Sequence, residues 1–168
     1  PTIRLFEAAI KDGVKKIVFA SSGGTVYGET GEKINRITDG LNPVCSYGVQ
    51  KKIIESLLQF YGSIYGINYK IMRISNPYGT GQDPEKPQGV IPIFIRRLLC
   101  GKEISVLGDG NDVRDYIYID DLVDSFERVL NYRGQQNIFN IATGKVYSLN
   151  QVIELIEKTA NTKFMNIT

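Results

Sequence analysis

The chain has 168 residues, of which 42% are hydrophobic and 23% charged, a composition typical of a folded globular protein. Its 20 basic and 18 acidic residues are interspersed and give a net charge of only +2, which disfavours nucleic-acid and membrane-surface partners. No apolar run approaches the ~20 residues of a membrane span, and two cysteines without any histidine disfavour a metal site or disulfides, so we expect a cytoplasmic protein.

The first elements are a helix and a strand. Apolar residues recur at helical spacing over residues 2–12, and Gly13 is a natural stop. Because the helical pattern begins at Pro1, the sequence is expected to start inside a domain. Residues 16–20 form a short, β-branched apolar run, which is typical of a buried central strand in a parallel sheet.

A long helix and a second strand follow. Residues 46–61 have one apolar side, with Ser46 as the expected N-cap and with Gly62 and Gly66 expected to end the helix. Residues 68–74 predict a strand. The segment 75–89 is rich in Gly, Pro, Asn and Asp, and long loops after strands usually carry function.

The remainder of the chain repeats the alternation of helix and strand. We predict a helix at residues 90–99, short strands at 103–107 and 116–119, and a helix capped by Asp120 or Asp121 that runs to Leu130. A strand at 137–141 and a helix at 149–159 complete the pattern. This order favours an α/β fold with a mainly parallel sheet.

Tyr47 and Lys51 lie four residues apart in the predicted long helix, which places both side chains on one face. A free tyrosine titrates near pH ~10, so a proton acceptor at neutral pH needs about 4 kcal/mol of phenolate stabilisation. An ammonium ~4 Å away, at an effective dielectric of ~20, supplies about that amount. The pair therefore indicates a tyrosine base, although the same spacing also occurs by chance in many helices.

Several motifs lie around this pair. They are residues 21–28 (SSGGTVYG), 43–51 (PVCSYGVQK), 76–82 (NPYGTGQ), 89–92 (GVIP), 108–110 (GDG) and 114–121 (RDYIYIDD). In these motifs, and in the distances between them, the chain resembles the extended short-chain dehydrogenase family, and its UDP-glucose 4-epimerase group in particular. The resemblance spans nearly the whole chain.

The resemblance implies a fold in two parts. Residues 1–80 would be the rear half of a Rossmann-like doubly wound parallel sheet that binds NAD, and residues 81–168 part of a small nucleotide-sugar-binding region. It implies a UDP-sugar or other nucleotide sugar as the partner. It also implies a homodimer of the full-length protein, paired through helices that include residues 46–61.

The activity implied is that of an NAD-dependent nucleotide-sugar 4-epimerase. Tyr47 would remove the proton of the sugar 4-hydroxyl while a hydride moves to the nicotinamide. Lys51 would stabilise the phenolate and hold the nicotinamide ribose. No metal is needed, because the phenol, the ammonium and the nicotinamide supply the base, the charge and the electron sink.

One position departs from the family pattern. Gly23 stands where the family usually has a small hydroxyl residue that shares a hydrogen bond with the sugar oxygen. Thr25 is our preferred substitute and Ser22 the second, while Ser21 is assigned to cofactor binding. Ser21 and Ser22 could equally bond only to backbone at the end of the strand.

Substrate-binding residues are expected in the second half of the chain. By resemblance, Asn76 contacts the sugar diphosphate and Arg114 pairs with a phosphate, to which a guanidinium can donate two charge-assisted hydrogen bonds. The backbone at Gly89 and Val90, together with Val106, would flank the nucleotide base. Core packing is the alternative for these three, and a surface ion pair is the alternative for Arg114.

The family's Gly-x-x-Gly-x-x-Gly turn, which receives the cofactor pyrophosphate, does not occur in this sequence. We therefore expect the isolated chain to bind NAD poorly and to be inactive. Two alternatives stay open. One is a nucleotide-sugar 4,6-dehydratase, although Gly24 and Thr25 stand where that branch has its Asp-Glu pair. The other is a non-catalytic nucleotide-sugar-binding fragment.

Overall fold

Six helices and six strands lie along the part of the chain that a computed structural model describes, residues 1–30, 34–86 and 88–167. In chain order they are α1 (Thr2–Lys11), β1 (Lys16–Ser22), α2 (Gly23–Val26), α3 (Ser46–Tyr65), β2 (Asn68–Ile74), β3 (Asn76–Tyr78), α4 (Val90–Leu99), β4 (Val113–Tyr118), α5 (Ile119–Asn131), β5 (Ile138–Ile141), β6 (Val146–Ser148) and α6 (Leu149–Ala160). They belong to two units. Unit 1 is Pro1–Ser75 with Val123–Ile141, and unit 2 is Asn76–Leu122 with Ala142–Thr168.

Unit 1 contains a parallel three-stranded sheet in the order β1-β2-β5. Its register places Ser21, Arg73 and Asn140 side by side near the carboxyl ends of the three strands. The central strand is β2, five of whose seven residues are buried. The expectation that residues 16–20 form the central strand is wrong for this sheet: among the described residues β1 pairs only with β2, so most of its side chains are half-buried.

The long helix α3 packs on this sheet through an apolar cluster of Phe6, Leu58, Tyr61 and Ile71. It runs through Gly62, whose missing side chain makes room for the Tyr69 ring, and ends at Gly66 in the left-handed conformation. The expected helix end at Gly62 was therefore wrong. Cys45 rather than Ser46 is the N-cap, because the Cys45 Sγ accepts a hydrogen bond from the Gly48 backbone N–H at 3.4 Å.

Unit 2 is built on β3, β4 and β6, with β3–β4 parallel and β4–β6 antiparallel. Helices α4 and α6 enclose its apolar core, which consists of Phe94, Leu98, Ile104, Val152, Ile153, Ile156 and Phe164. The predicted strand at 103–107 was wrong: only Ile104 makes an isolated bridge, to Ile167, and its side chain is fully buried in this core. Apolar residues there serve packing rather than a ladder.

The other predicted elements are confirmed within a few residues, and the mainly parallel α/β sheet is confirmed. The short elements α2, β3 and β6 were missed, and β3 lies in the segment predicted as a loop, of which position 87 is outside the described residues. Asp120 and Asp121 lie in the first turn of α5 rather than before it. Within the described ranges, no helix has the length and apolar character that crossing a membrane requires.

Candidate active site

Tyr47 and Lys51 lie on one face of α3 in its first two turns, as their spacing predicts. The Lys51 Nζ lies 5.3 Å from the centroid of the Tyr47 ring and 4.9 Å from that of Phe19. It also donates a 2.7 Å hydrogen bond to the Ala20 carbonyl near the end of β1. Since the Tyr47 side chain is 51% exposed, a ligand can reach a phenol that has an ammonium close by.

Close backbone packing fixes the start of α3. A Cβ at Gly48 would lie 2.8 Å from both the Thr25 carbonyl oxygen and the Pro43 Cβ. Only a glycine allows this approach between α2 and α3. The residue next to Tyr47 is therefore held directly against the segment that carries the predicted hydroxyl partners.

The three predicted hydroxyl residues have different surroundings. Ser21 is buried and donates a 2.5 Å hydrogen bond to the Glu55 carboxylate. Ser22 precedes α2 without capping it through its side chain, and the Thr25 Oγ1 is shielded from solvent with no hydrogen-bond partner in the described structure. Gly23 lies so close to β2 that an added Cβ would be 3.0 Å from the Arg73 carbonyl oxygen, so the family's hydroxyl position is tight in this chain.

The structure contains a buried ion pair between α3 and β2 that was not predicted from the sequence. The Arg73 guanidinium donates to both Glu55 oxygens, with Nη2–Oε2 at 2.8 Å and Nε–Oε1 at 3.2 Å. Glu55 follows Lys51 by four residues, so a third charged or polar residue on the Tyr47–Lys51 face was the available signal. An arginine inside the otherwise apolar end of β2 was the second.

The guanidinium is also linked to β5 through Tyr27. Arg73 Nη1 donates to the Tyr27 hydroxyl at 2.9 Å, and that hydroxyl donates to the Asn140 Oδ1 at 2.6 Å. Burial opposes the charge of Arg73, but the hydrogen bonds and negative charge of Glu55, with those of Tyr27, outweigh burial and raise the pKa of Arg73. The arginine is thus firmly cationic.

Two predicted substrate residues lie in unit 2, on neighbouring strands. Asn76 is half-buried and its Nδ2 donates to the Asp115 carbonyl at 2.9 Å. Arg114, which precedes Asp115, has a side chain that is 53% exposed, with Nη1 2.8 Å from the Val113 carbonyl and Nη2 3.8 Å from Asp112. The Asp115 carboxylate accepts hydrogen bonds from the backbone N–H groups of Thr143 and Gly144. Most of the Arg114 guanidinium surface remains available to a ligand.

The other three substrate predictions also lie in unit 2, around α4 and the apolar core. Gly89 is the N-cap of α4, with a φ of 87°. Val90 and Val106 are half-buried and pack against the core cluster. The side chains of these two valines therefore have the packing role that is the alternative for them.

The chain is similar to several known proteins. A family model described as "NAD dependent epimerase/dehydratase family" matches residues 1–142. A putative UDP-glucose 4-epimerase of Methanocaldococcus jannaschii is 40% identical over 156 residues, which are 93% of this chain and 50% of that protein. A dTDP-4-dehydro-6-deoxyglucose reductase of Escherichia coli is 42% identical over 158 residues, 94% of this chain and 50% of the reductase.

A solved structure shows the same similarity in three dimensions. The UDP-glucose 4-epimerase of Thermotoga maritima, crystallised with UDP-glucose, superposes with a TM-score of 0.92 at 36% identity. The match covers 99% of this chain and 54% of the Thermotoga chain. The chain thus spans about half the length of the relatives it matches.

Proposed function

The chain belongs to the NAD dependent epimerase/dehydratase family, and from that premise we propose that the whole protein is a nucleotide-sugar 4-epimerase of the UDP-glucose/UDP-galactose type. By the whole protein we mean this chain together with any polypeptide joined to it. One observation carries the proposal: an exposed Tyr47 phenol lies beside the Lys51 ammonium, which is itself anchored to the end of β1.

NAD fits the groups around Tyr47. The Lys51 Nζ makes one hydrogen bond within the described residues, to Ala20, so two of its three donors remain for ribose hydroxyls. When bound, NAD supplies the reversible oxidation of the sugar carbon. Since the Gly-x-x-Gly-x-x-Gly turn does not occur in this sequence, we expect the isolated chain to bind NAD weakly and to be inactive. Ser21, assigned to the cofactor from sequence, is engaged by Glu55, so Lys51 is the stronger candidate.

The chain's own residues would move the proton. The Lys51 ammonium stabilises the phenolate form of Tyr47. This phenolate accepts the proton of the sugar 4-hydroxyl. After the keto sugar has turned over, Tyr47 returns the proton to the same sugar oxygen, whose carbon is then reduced on its opposite face. Thr25 is the proposed hydrogen-bond partner of the sugar oxygen, because its buried Oγ1 has no partner among the described residues, and Ser22 is second.

Substrate recognition is proposed for unit 2. The exposed guanidinium of Arg114 would bind a phosphate with two hydrogen bonds. Asn76 uses its Nδ2 within the protein, which leaves its amide oxygen for the ligand. The backbone at Gly89 and Val90, and Val106 beside it, would flank the base.

Two alternatives remain for product analysis. A 4,6-dehydratase would need the Asp-Glu pair that resembling enzymes carry before Val-Tyr-Gly, and Gly24 and Thr25 stand there. Incubation of the whole protein with UDP-glucose and with dTDP-glucose separates the reactions, because only the dehydratase releases a 4-keto-6-deoxy sugar. Absence of any product from either sugar would favour a non-catalytic binding protein.

We also propose that two copies of the protein pair through α3, whose exposed apolar side chains include Val49, Ile53, Phe60 and Ile64. Sedimentation velocity of the whole protein tests this pairing, and a monomer would contradict it. The two free cysteines, Cys45 and Cys100, support the cytoplasmic location expected from the sequence.

The first test is Tyr47→Phe in the whole protein. We expect kcat for epimerisation to fall by at least ~10²–10⁴-fold, because the base is removed, while nucleotide-sugar affinity stays nearly unchanged. Tyr65→Phe is the matched control, since Tyr65 is equally exposed on the same helix and should keep full turnover. Unchanged turnover in Tyr47→Phe would rule out this base.

A further inference from the structure

A network of polar side chains lies at the carboxyl end of the sheet in unit 1. It consists of Ser21, Tyr27, Glu55, Arg73 and Asn140, and we call it the Glu55–Arg73 network. Three of its members occupy matching register positions on β1, β2 and β5, and Glu55 comes from α3. The network therefore joins the helix to all three strands of this sheet.

The centre of the network is inaccessible to solvent. Glu55 is fully buried, and Arg73 and Ser21 are each only 4% exposed. A buried ion pair seldom stabilises a fold more than apolar side chains of similar volume, because both charges lose their hydration. Stability alone therefore does not account for these residues, and a role in fixing geometry does.

The network is continuous with the Tyr47–Lys51 pair. Tyr47, Lys51 and Glu55 follow each other at four-residue spacing along one face of α3. Lys51 donates to the Ala20 carbonyl at 2.7 Å, and Glu55 accepts from the Ser21 hydroxyl at 2.5 Å. Two successive turns of the helix are thus bound to two successive residues of β1.

Arg73 also neutralises the Glu55 carboxylate on this face of α3. Side chains four residues apart on a helix have Cβ atoms about 6 Å apart, so Glu55 and Lys51 are neighbours. The bidentate contact of Arg73 satisfies the Glu55 carboxylate. Without it, the carboxylate would attract the Lys51 ammonium away from Ala20 and from the Tyr47 ring.

We propose that Glu55 and Arg73 are positioning residues for the proposed epimerase reaction, holding the Tyr47–Lys51 face of α3 in place on the end of β1. The inference rests on the proposed function of Tyr47. Neither residue touches the reacting atoms. Their effect passes through the hydrogen bond from Lys51 to Ala20.

Glu55→Asp in the whole protein tests this inference, because it keeps the charge and shortens the reach by one methylene. We expect kcat to fall ~10–100-fold with the KM for nucleotide sugar unchanged, since small misplacements of a reacting group cost about that much. A crystal structure of the variant should show the Lys51–Ala20 hydrogen bond lost. Glu154→Asp, the same change at an exposed position of α6, should alter neither.

An apolar replacement keeps the inference falsifiable if Glu55→Asp does not fold. Ser21→Ala/Glu55→Leu/Arg73→Met removes both charges and the serine donor at similar volume, and should fold. We expect it to lose kcat and the Lys51–Ala20 contact as Glu55→Asp does. A folded variant of either kind that keeps wild-type kcat, or that loses kcat with the contact intact, overturns the inference. So does failure of the triple variant to fold, because the network would then serve stability.

The two proposals fail separately. If the wild-type whole protein does not epimerise nucleotide sugars, the proposed function is wrong. The crystallographic Lys51–Ala20 contact in the variants still decides whether the network positions the helix.

Discussion

Unit 1 and unit 2 keep their charged side chains in different places. Among the described residues, the buried polar and charged side chains are Ser21, Glu55, Lys70 and Arg73, and all four belong to unit 1. The core cluster of unit 2 is apolar. In the same unit Asp109 accepts hydrogen bonds within an exposed turn, and Asp115, half-buried on β4, accepts them from the backbone of residues 143 and 144. This difference indicates that buried charge in unit 1 fixes geometry. In unit 2 the polar groups lie at the surface, where a ligand can compete for them.

Lys70 shows that a buried charge does not by itself mark a reactive site. Its Nζ donates to the Gln136 carbonyl, the Asn137 side chain and, at 3.3 Å, the Gly134 carbonyl. Burial, with a smaller effect of Lys16, lowers the pKa of Lys70, yet three acceptors surround the ammonium. This lysine holds the segment before β5, and only the Glu55–Arg73 network continues to Tyr47.

The largest effect on stability is expected from Arg73→Met. If this effect is absent, the proposed difference between the two units is wrong. The substitution leaves the Glu55 carboxylate buried without its partner, so the free energy of unfolding should fall by about 3–5 kcal/mol. Urea unfolding of the whole protein measures it. Arg97→Met is the control, because Arg97 is an exposed arginine of unit 2 that bonds one carbonyl, and it should cost less than ~1 kcal/mol. Equal losses would contradict the distinction between the units.

Local signals were sufficient for the longer elements of the fold. The apolar periodicity of residues 90–99 and the apolar run 68–74 predicted α4 and β2 at their observed bounds. The segment 103–107 has apolar Ile104 and Val106 at strand spacing, but both pack into a core, and only Ile104 forms a single bridge instead of a ladder. Three-residue strands such as β3 and β6 carry too few residues for a period, and their partners fix them.

The candidate site also contains residues that local spacing predicts and residues whose partners come from distant segments. Tyr47 and Lys51 share a helix, so their spacing alone placed them on one face. The partner of Glu55 is a strand residue, and the sequence does not reveal which of several cations reaches a given carboxylate after folding. The sequence assigns Ser21 to the cofactor, whereas the structure shows its hydroxyl bonded to Glu55.

A smaller effect, on nucleotide-sugar binding rather than on kcat, is expected from a substitution in unit 2. Arg114→Lys keeps the charge but loses the planar pair of donors, so we expect the KM for nucleotide sugar to rise about 10-fold with kcat little changed. Steady-state kinetics measure both quantities, and calorimetric titration with UDP measures the accompanying loss of nucleotide affinity. Arg97→Lys in the same unit should leave KM at the wild-type value. A fall in kcat without a change in KM would place Arg114 in the chemistry instead.

The smallest effect is expected from Asp109→Asn in the exposed turn of unit 2. The Asn111 backbone and side-chain amides donate to the Asp109 carboxylate and lower its pKa. Because the folded state favours the carboxylate, its stabilisation is present above the ordinary aspartate value of ~3.9 and is lost as pH falls through the lowered value. Thermal unfolding of Asp109→Asn should therefore show a fall in Tm of no more than about 2 °C at neutral pH, and the difference should disappear in acid.

Asp112→Asn removes the same charge three residues further along, at a carboxylate whose nearest cation, Arg114, is 3.8 Å away. It should leave Tm unchanged at neutral pH, since exposed ion pairs of this length contribute little. If the two variants lose stability equally, net charge and not the Asn111 hydrogen bonds would explain the effect. Polar contacts in the exposed turns of unit 2 would then have no stabilising role of their own, and the contrast with the buried network of unit 1 would be sharper than proposed.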